Sequence, residues 1–311
     1  MTFSDVPPIS GLPEIGDLIP KSAKADLGVT VGSVCVKIHI GFDVAYECTE
    51  PTPTILMLSV HPSRINDLLF PDHLYIQPHV PMARYVDMFG NVCTRLVAPA
   101  GETRVSTEAV ILDSGEPDPV EPDAVQIAVG KLPHDVLIYL MGSRYCETDR
   151  LMDIAWSLFG KTPEGWPRVQ AICDFVHSHI KFDYMRARVT KTAADAYEER
   201  CGVCRDYAHL AITLCRCMNV PARYCTGYLG DIGVPPDPSP MDFSAWFEVY
   251  LGGRWYVFDA RHNVPRIGRV LIARGRDATD VAISTTFGAH ILKCFKVVTV
   301  EVENLPAQLV A

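Results

Sequence analysis

Apolar and polar residues alternate through much of the chain between residue 31 and residue 115. From Val34 to Ile40, every second residue is valine or isoleucine, which is the period of a half-buried β-strand. Three more stretches have strand-forming composition and are separated by turn residues: 54–60, 84–99 and 102–113. Short strands without a helical period predict a β-sandwich over residues 31–115.

A helical period replaces this alternation in the second half of the chain, where apolar residues recur every three or four positions. They predict helices over 149–160, 162–182, 192–200 and 203–219. The segment 222–230 predicts a strand, and SAWFEVYLGGRWYVFDA (244–260) predicts a β-hairpin that turns at Gly252 and Gly253. Alternation returns over 293–303. Helices followed by a run of strands are typical of an α+β fold.

Two stretches without periodicity separate these regions. Residues 1–30 are rich in proline, glycine and polar groups and predict a loose lead-in. Proline and acidic residues crowd 114–125, a composition that favours a linker over a packed element. The predicted organisation is the lead-in, the β-sandwich of 31–115, a linker and entry segment over 116–145, and an α+β core over 146–311.

Composition and charge narrow the class of protein. The 311 residues carry a formal net charge of −9 with a pI near 5.5, which argues against nucleic acid or an anionic membrane surface as the main partner. No apolar run approaches the roughly 20 residues of a membrane-spanning helix, and the N-terminus lacks the pattern of a secretory signal. The eleven scattered cysteines suit a reducing compartment, so a cytoplasmic location is expected.

The candidate chemistry begins in RCGVCRDYAHL (200–210). Cys204 falls in the first turn of the helix predicted over 203–219, where unpaired N–H groups and the helix dipole favour an anion. We therefore expect a lowered thiol pKa, and a thiolate is the nucleophile that acyl transfer needs. The residues alone do not decide whether Cys204 is a nucleophile or a buried structural thiol.

Two rival chemistries are disfavoured for the same segment. Cys201 and Cys204 have the spacing of a thioredoxin-type pair, but a polar helical stretch precedes them instead of an apolar strand. Zinc requires convergent ligands, whereas Cys215 and Cys217 lie about 200° apart on one helix and His209 lies about 140° from Cys204. We expect no metal and no cofactor, and a reversible Cys201–Cys204 disulfide that masks the nucleophile stays open.

The hairpin predicts which side chains lie near its acid. With the two-glycine turn, Trp246 lies opposite Asp259 and Ser244 lies opposite Arg261. Side chains alternate along a strand, so Ser244 shares a face with Asp259 and is diagonal to it. A Cys-His-Asp triad would require histidine at this position, and serine occupies it. Trp246 is expected either to pack within the hairpin or to roof the cleft near the thiol.

Several segments resemble bacterial transglutaminase-like proteins of the papain-like cysteine superfamily. RCGVCRDYAHLAITLCRCMNVPARYCTGYL is similar to the nucleophile helix and following strand of that family, and SAWFEVYLGGRWYVFDARHN to its His-and-Asp hairpin. GFDVAYECTEPTPTILMLSV and RYVDMFGNVCTRL resemble the β-rich N-terminal domain of many members. The resemblance implies a papain-like transglutaminase core, helices packed on an antiparallel sheet, preceded by a β-sandwich.

Matched position by position, the resemblance implies Cys204 as the nucleophile and Asp259 as the acid that orients the base. Ser244 stands where the family usually has the histidine, and a serine hydroxyl cannot take the thiol proton near neutral pH. His262 is the candidate base if the strand breaks near Ala260, since a straight strand would turn the imidazole to the opposite face. The alternatives of no base and of some other group stay open.

The resemblance implies an enzyme that attacks an amide carbonyl through Cys204 and resolves the resulting thioester with water or an amine. Its substrate would be a peptide or protein amide, held in a groove that the Pro-rich loop 231–243 is expected to rim. Ser244 favours an alternative, a non-catalytic peptide- or protein-binding module on the same fold. The arginines of 268–280 are expected to bind a substrate carboxylate or to pair with nearby acids.

Overall fold

The computed structural model describes residues 35–303, which form an α+β protein. The helices are α1 (Thr148–Phe159), α2 (Trp166–His179), α3 (Ala193–Glu199) and α4 (Cys204–Cys217). The strands are β1 (Val36–Cys48), β2 (Thr52–Leu56), β3 (Leu68–Phe70), β4 (Tyr75–Gln77), β5 (Met82–Val86), β6 (Val92–Ala98), β7 (Gly101–Asp113), β8 (Lys181–Phe182), β9 (Cys201–Gly202), β10 (Ala222–Tyr228), β11 (Ser244–Leu251), β12 (Arg254–Phe258), β13 (Val270–Gly275), β14 (Ser284–Thr286) and β15 (His290–Glu301). The predicted lead-in over residues 1–30 lies outside the described range. Within that range, no helix has the length and apolar character needed to cross a membrane.

Two antiparallel sheets, together called the β-layer here, contain the strands of the first part of the chain. One has the order β15–β1–β7–β3, with β4 also paired to β7, and the other has the order β14–β2–β6–β5. Ile38, Ile40, Val44, Leu56 and Leu96 are buried in one apolar cluster, because alternate residues of a strand point to the same face. The alternation in the sequence therefore marked the buried face of these strands.

The last two strands of the described chain belong to this β-layer. β15 pairs with β1 from Ile38–Glu301 to Cys48–His290, and β14 pairs with β2. The sequence analysis placed residues 293–303 in the predicted core over 146–311. In the structure, this segment belongs instead to a sheet of the β-layer. Antiparallel ladders join strands at any distance along the chain, and the alternating pattern of one strand does not identify its partner.

The core places its helices against a third sheet with the order β12–β11–β10–β13. Helix α4 lies at the centre and contacts α1, α2, α3, β10 and β11. Its residues from Asp206 to Cys217 are all buried, which is the environment of a helix enclosed on every side. This central position holds the N-terminus of α4, and with it Cys204, in a fixed place.

Most predicted elements of the core are confirmed, with shifted ends. Helix α1 begins at Thr148, so Asp149 lies inside its first turn instead of capping it. The hairpin has the predicted register, with Leu251 paired to Arg254 across two glycines of positive φ. Strand β13 was not predicted, because its apolar run is short and is flanked by the arginines of 268–280.

The β-layer and the core are joined by hydrogen bonds around Arg64. Its guanidinium donates to the backbone oxygen of Arg269 at 2.7 Å and to Asp113 at 3.0 Å. The backbone N–H of His61 donates to the oxygen of Leu271 at 2.9 Å. The His61 side chain is buried and its Nδ1 accepts the N–H of Ser63 at 3.1 Å. An imidazole that acts as an acceptor at this junction has to remain neutral.

The junction is expected to weaken in acid. Burial, with the nearby charges of Arg274 and Arg223, lowers the pKa of His61 from 6.5 to about 4. The unfolded chain therefore binds more protons than the folded one between these two pKa values, so stability present above pH 6.5 is lost as the pH falls towards 4. We expect His61→Asn, which keeps a capping acceptor, to remove about 2 kcal/mol of the loss seen at pH 5.

Thermal unfolding of the two proteins at pH 7, 6 and 5 measures this effect as a change in Tm. The matched control is His134→Asn, because His134 is exposed and its substitution should leave the pH dependence of Tm unchanged. Equal falls in Tm for wild type and His61→Asn between pH 7 and pH 5 would contradict the assignment of a neutral, acceptor His61.

Candidate active site

Cys204 is the first residue of α4, where the sequence placed it. Just before it, the N–H of Val203 donates to Asp206 Oδ2 at 2.9 Å, which holds the start of the helix in place. Gly202 is required by a close approach, because a Cβ at this residue would lie 2.5 Å from Asp206 Oδ2. The backbone N–H of Cys204 belongs to the first helical turn, whose N–H groups have no partner within the helix.

The pKa of the Cys204 thiol is raised, whereas the sequence led us to expect a lowered pKa. Burial raises the pKa of Cys204 to about 11, although the guanidinium of Arg261 and a hydrogen bond from the N–H of Ala245 act in the opposite direction. The physical reason is desolvation, which penalises the thiolate more than these neighbours stabilise it. The resting side chain is therefore a protonated thiol near neutral pH, and its activation requires a base.

The chain turns sharply after β12 and so carries His262 back towards the strand. The backbone oxygen of Asp259 accepts the N–H of Asn263 at 2.7 Å, and Asp259 Oδ1 accepts the N–H groups of Arg261 and His262 at 3.0 and 3.1 Å. His262 Nδ1 lies 2.8 Å from Asp259 Oδ2. The break in the strand that the sequence required for His262 is thus present.

Asp259 is ionised in spite of its burial. Its side chain is 3% exposed, and Arg269 Nη2 donates to Oδ2 at 2.9 Å. Burial alone would raise the pKa of Asp259, but the charge of Arg269 and the hydrogen bond from His262 outweigh it and hold that pKa well below its ordinary value. A carboxylate at this position can fix the tautomer and the orientation of the His262 imidazole.

Asp118 and Arg269 support the site and were not predicted as site residues. Arg269 Nε donates to Asp118 Oδ2 at 2.8 Å, and the backbone N–H of Arg266 donates to the same oxygen at 2.9 Å. The acidic stretch that predicted a linker is therefore bonded to the core beside Asp259. One feature of the sequence pointed to Arg269: the arginines of 268–280 were expected either to bind a substrate carboxylate or to pair with nearby acids. Arg269 and Arg276 do pair with acids.

Helix α2 fixes the turn that carries His262. His177 Nδ1 lies 3.2 Å from the oxygen of Ala260 and 2.9 Å from that of Arg261, so it carries a proton and donates to the turn. Asn263 Nδ2 donates to Asp174 at 2.8 Å. The sequence had given no reason to direct His177 towards the site, because contacts between a helix and a distant turn leave no local pattern.

A small cavity of about 70 Å³ brings the predicted site residues together. Cys204, Ser244 and His262 all line it, with Arg261 beside them. The Pro-rich loop 231–243 contributes much of the remaining wall, which agrees with its expected place at the rim. The residue at the family's histidine position and the histidine three positions after Asp259 therefore face the same space.

Two accessory residues lie elsewhere. Trp246 packs in a separate buried cluster with Cys225 and Leu271 and lines neither cavity beside Cys204, so of its two expected roles it has hairpin packing. Cys201 lies in β9, and a disulfide between it and Cys204 stays a prediction. Over residues 35–303, no group of three or more His, Cys, Asp or Glu side chains is arranged to hold a metal ion.

Cys204 and Asp259 both lie within a match to a known family. Residues 155–260 match the family described as the transglutaminase-like superfamily. This segment contains Cys204 and Asp259 and ends two residues before His262. The match therefore covers helix α4 and the hairpin of β11 and β12, and His262 lies just outside it.

Whole-chain comparisons extend this match to the β-layer. The crystal structure of a candidate cysteine protease from Cytophaga hutchinsonii is 30% identical, with a TM-score of 0.75, and the alignment covers 88% of this chain and 93% of that one. The uncharacterized protein ML0607 of Mycobacterium leprae is 29% identical over 212 residues, which are 64% of this chain and 73% of that protein. The chain belongs to the transglutaminase-like superfamily.

Proposed function

We propose that the protein is a cysteine enzyme that acts on the amide bonds of peptides or proteins, by hydrolysis or by acyl transfer. Cys204 is the nucleophile, His262 the general base, and Asp259 the acid that orients the base. The observation that carries the proposal is that Cys204 and an Asp259-bonded His262 line one cavity. Similarity to a candidate cysteine protease over most of the chain supports hydrolysis as the outcome.

The proton of the thiol is the first obstacle, because burial raises the pKa of Cys204 to about 11. His262 donates its Nδ1–H to Asp259, so its Nε2 is the nitrogen left to accept that proton. Deprotonation and attack are then coupled, and the imidazolium that forms is stabilised by the adjacent Asp259 carboxylate. The enzyme works by general base catalysis and does not need a thiolate at rest.

The acyl transfer follows from this arrangement. Cys204 Sγ attacks the carbonyl carbon, and the carbonyl π electrons move to its oxygen. When the tetrahedral intermediate collapses, the C–N bond breaks, His262 returns its proton to the leaving nitrogen, and a thioester stays on Cys204. A water molecule or an amine, deprotonated by the same imidazole, then attacks the thioester and releases the acid or the new amide, while the sulfur regains its proton.

The start of α4 offers electrostatic help for the oxyanion. The backbone N–H of Cys204 is unpaired within the helix and lies at the positive end of its dipole. The Ala245 N–H also points to the sulfur and lowers the pKa of Cys204 against the larger effect of burial. Fixed backbone donors of this kind stabilise the charge that develops in acyl transfer.

Ser244 favours a second candidate, a non-catalytic module that binds peptides in the same cavity. Its buried side chain stands where the family usually has histidine. On this alternative, the Asp259–His262 contact is structural and no chemistry follows peptide binding. The two candidates differ in whether the wild-type protein turns over any amide.

The activity prediction concerns His262. In hydrolysis of a peptide mixture followed by mass spectrometry, wild type should cleave amide bonds, and Cys204→Ala should abolish cleavage. Loss of the base in His262→Ala should lower kcat/KM roughly 10²- to 10⁴-fold. His134→Ala, a change at an exposed histidine, should keep the wild-type rate.

An inactive wild type that gains amidase activity in Ser244→His would instead support the binding module. Full activity of His262→Ala, with Cys204→Ala inactive, would remove His262 as the base and leave the nucleophile in place. Each variant is compared by circular dichroism and Tm, so that loss of activity is separated from loss of fold.

The thiol prediction concerns the pH dependence of alkylation. Because the resting thiol is protonated, we expect the rate of reaction of Cys204 with iodoacetamide to rise about tenfold per pH unit from pH 7 to about pH 10. Site-resolved mass spectrometry measures the rate, with the exposed Cys35 as an internal reference. A plateau already reached near neutral pH would show a preformed thiolate and contradict the general base route.

A further inference from the structure

A second, larger cavity opens on the other side of Cys204. Its volume is about 330 Å³, within the usual range of small-molecule pockets. Cys204 lines both cavities and thus stands in the wall between them. Six large apolar side chains line the second cavity, called the apolar cavity here: Val189, Val203, Tyr224, Phe243, Ile283 and Phe295.

Three charged side chains line the apolar cavity, Arg188, Arg205 and Asp242, and the two arginines already have partners. Arg188 pairs with Glu199 at 2.6 Å. The guanidinium of Arg205 donates to the backbone oxygen of Arg188 and lies 3.4 Å from Asp206 Oδ1. The two arginine charges are neutralised within the protein, so the cavity does not require an anionic ligand. Asp242 lies at its boundary with the cavity of His262, which it also lines. Its remaining surface suits a large apolar group.

The cavity that contains His262 has the opposite character. It measures about 70 Å³, and three carboxylates of the loop 231–243 line it: Asp231, Asp237 and Asp242, of which only Asp242 also lines the apolar cavity. Its small volume and its carboxylates suit a small polar group better than a leucine or phenylalanine side chain. The two sides of the nucleophile therefore differ both in size and in polarity.

The position of His262 indicates which of the two cavities accommodates the leaving amine of a substrate and which accommodates its acyl part. The leaving nitrogen must receive its proton from the general base, and His262 lines only the small cavity. The leaving amine therefore occupies the small cavity, and the acyl part extends over Cys204 into the apolar cavity. This assignment rests on the proposed function, since it uses the roles of Cys204 and His262.

We infer that the apolar cavity is the acyl-side specificity pocket and takes a large apolar side chain, branched or aromatic, next to the scissile carbonyl. On the leaving side, the residue that follows the scissile bond is small. The substrate class is thus a peptide with a leucine- or phenylalanine-like residue followed by a glycine-like residue.

Burial of such a side chain predicts the size of the preference. Transfer of a leucine or phenylalanine side chain from water into an apolar site is favourable enough to change an equilibrium or a rate constant roughly 10- to 100-fold. We expect this ratio in kcat/KM for acetyl-Phe-glycinamide over acetyl-Gly-glycinamide. Replacement of the leaving glycinamide by leucinamide in the phenylalanine substrate should lower kcat/KM at least about tenfold, because the small cavity excludes the side chain.

Phe295 provides a variant that alters the cavity without touching the catalytic residues. It lies on β15, is 39% exposed and packs against Phe243. Phe295→Asp should reduce the preference for phenylalanine over glycine to less than about threefold, because a carboxylate disfavours an apolar occupant. The matched control is Val298→Asp, since Val298 is on the same strand and 37% exposed but outside both cavities.

A binding measurement separates this inference from the proposed function. Ligand-observed NMR with Cys204→Ala gives the affinity for acetyl-Phe-amide and acetyl-Gly-amide without any turnover. We expect the phenylalanine compound to bind at least about tenfold more tightly, and Phe295→Asp in the same background to remove this difference. Val189→Asp, a change at an exposed loop residue of the same cavity, repeats the test if Phe295→Asp does not fold.

The outcomes are distinct. Wild type without amidase activity, together with selective binding of acetyl-Phe-amide, would refute the proposed enzyme and support the apolar cavity as a binding pocket. Amidase activity with equal kcat/KM for phenylalanine and glycine would support the enzyme and overturn the inference. A preference that Phe295→Asp and Val189→Asp leave unchanged would also overturn it, because the pocket would then lie elsewhere.

Discussion

The buried carboxylate of Asp259 is the charge that the surrounding structure has to compensate. An unpaired carboxylate at this depth would take up a proton or cost several kcal/mol. Arg269 lies between Asp259 and Asp118 and contacts both, so one guanidinium serves two carboxylates. In the proposed reaction, His262 adds a second positive charge when it takes the proton of Cys204. The ionic arrangement therefore favours the charge distribution of the proposed reaction.

Partial burial has two opposing effects on Cys204, the proposed nucleophile. It removes water from the space around Cys204, which strengthens every fixed dipole and charge directed at a reacting carbonyl. It also raises the pKa of the thiol, so the helix N-terminus does not by itself make a thiolate. In the proposed mechanism, His262 in the same cavity acts as the base, and the proton leaves only as the carbon–sulfur bond forms.

The β-layer contributes directly to the space beside the nucleophile. Phe295 lies on β15, which pairs with β1 at the beginning of the described chain, and yet its ring lines the apolar cavity next to Cys204. Arg64 and His61 bond the same layer to β13 and to Arg269. The layer that accompanies the core thus shapes the cleft and braces the residue that holds Asp259.

The sequence by itself determined the parts of the site that depend on local pattern. Helical periodicity and the Gly202–Asp206 contact position Cys204 at the start of α4, and the two-glycine turn sets the register that brings Ser244 near Asp259. Only the tertiary structure decided that His262 turns back to Asp259. It also decided the pairing of β15 with β1, and the contact between Asp118 and Arg269 across 151 positions. The partners in the last two contacts are distant in the chain, and the turn that carries His262, although local, is held by His177 and Asp174 of α2. The energy of these contacts comes from burial and ionic compensation, which exist only once the layers have packed.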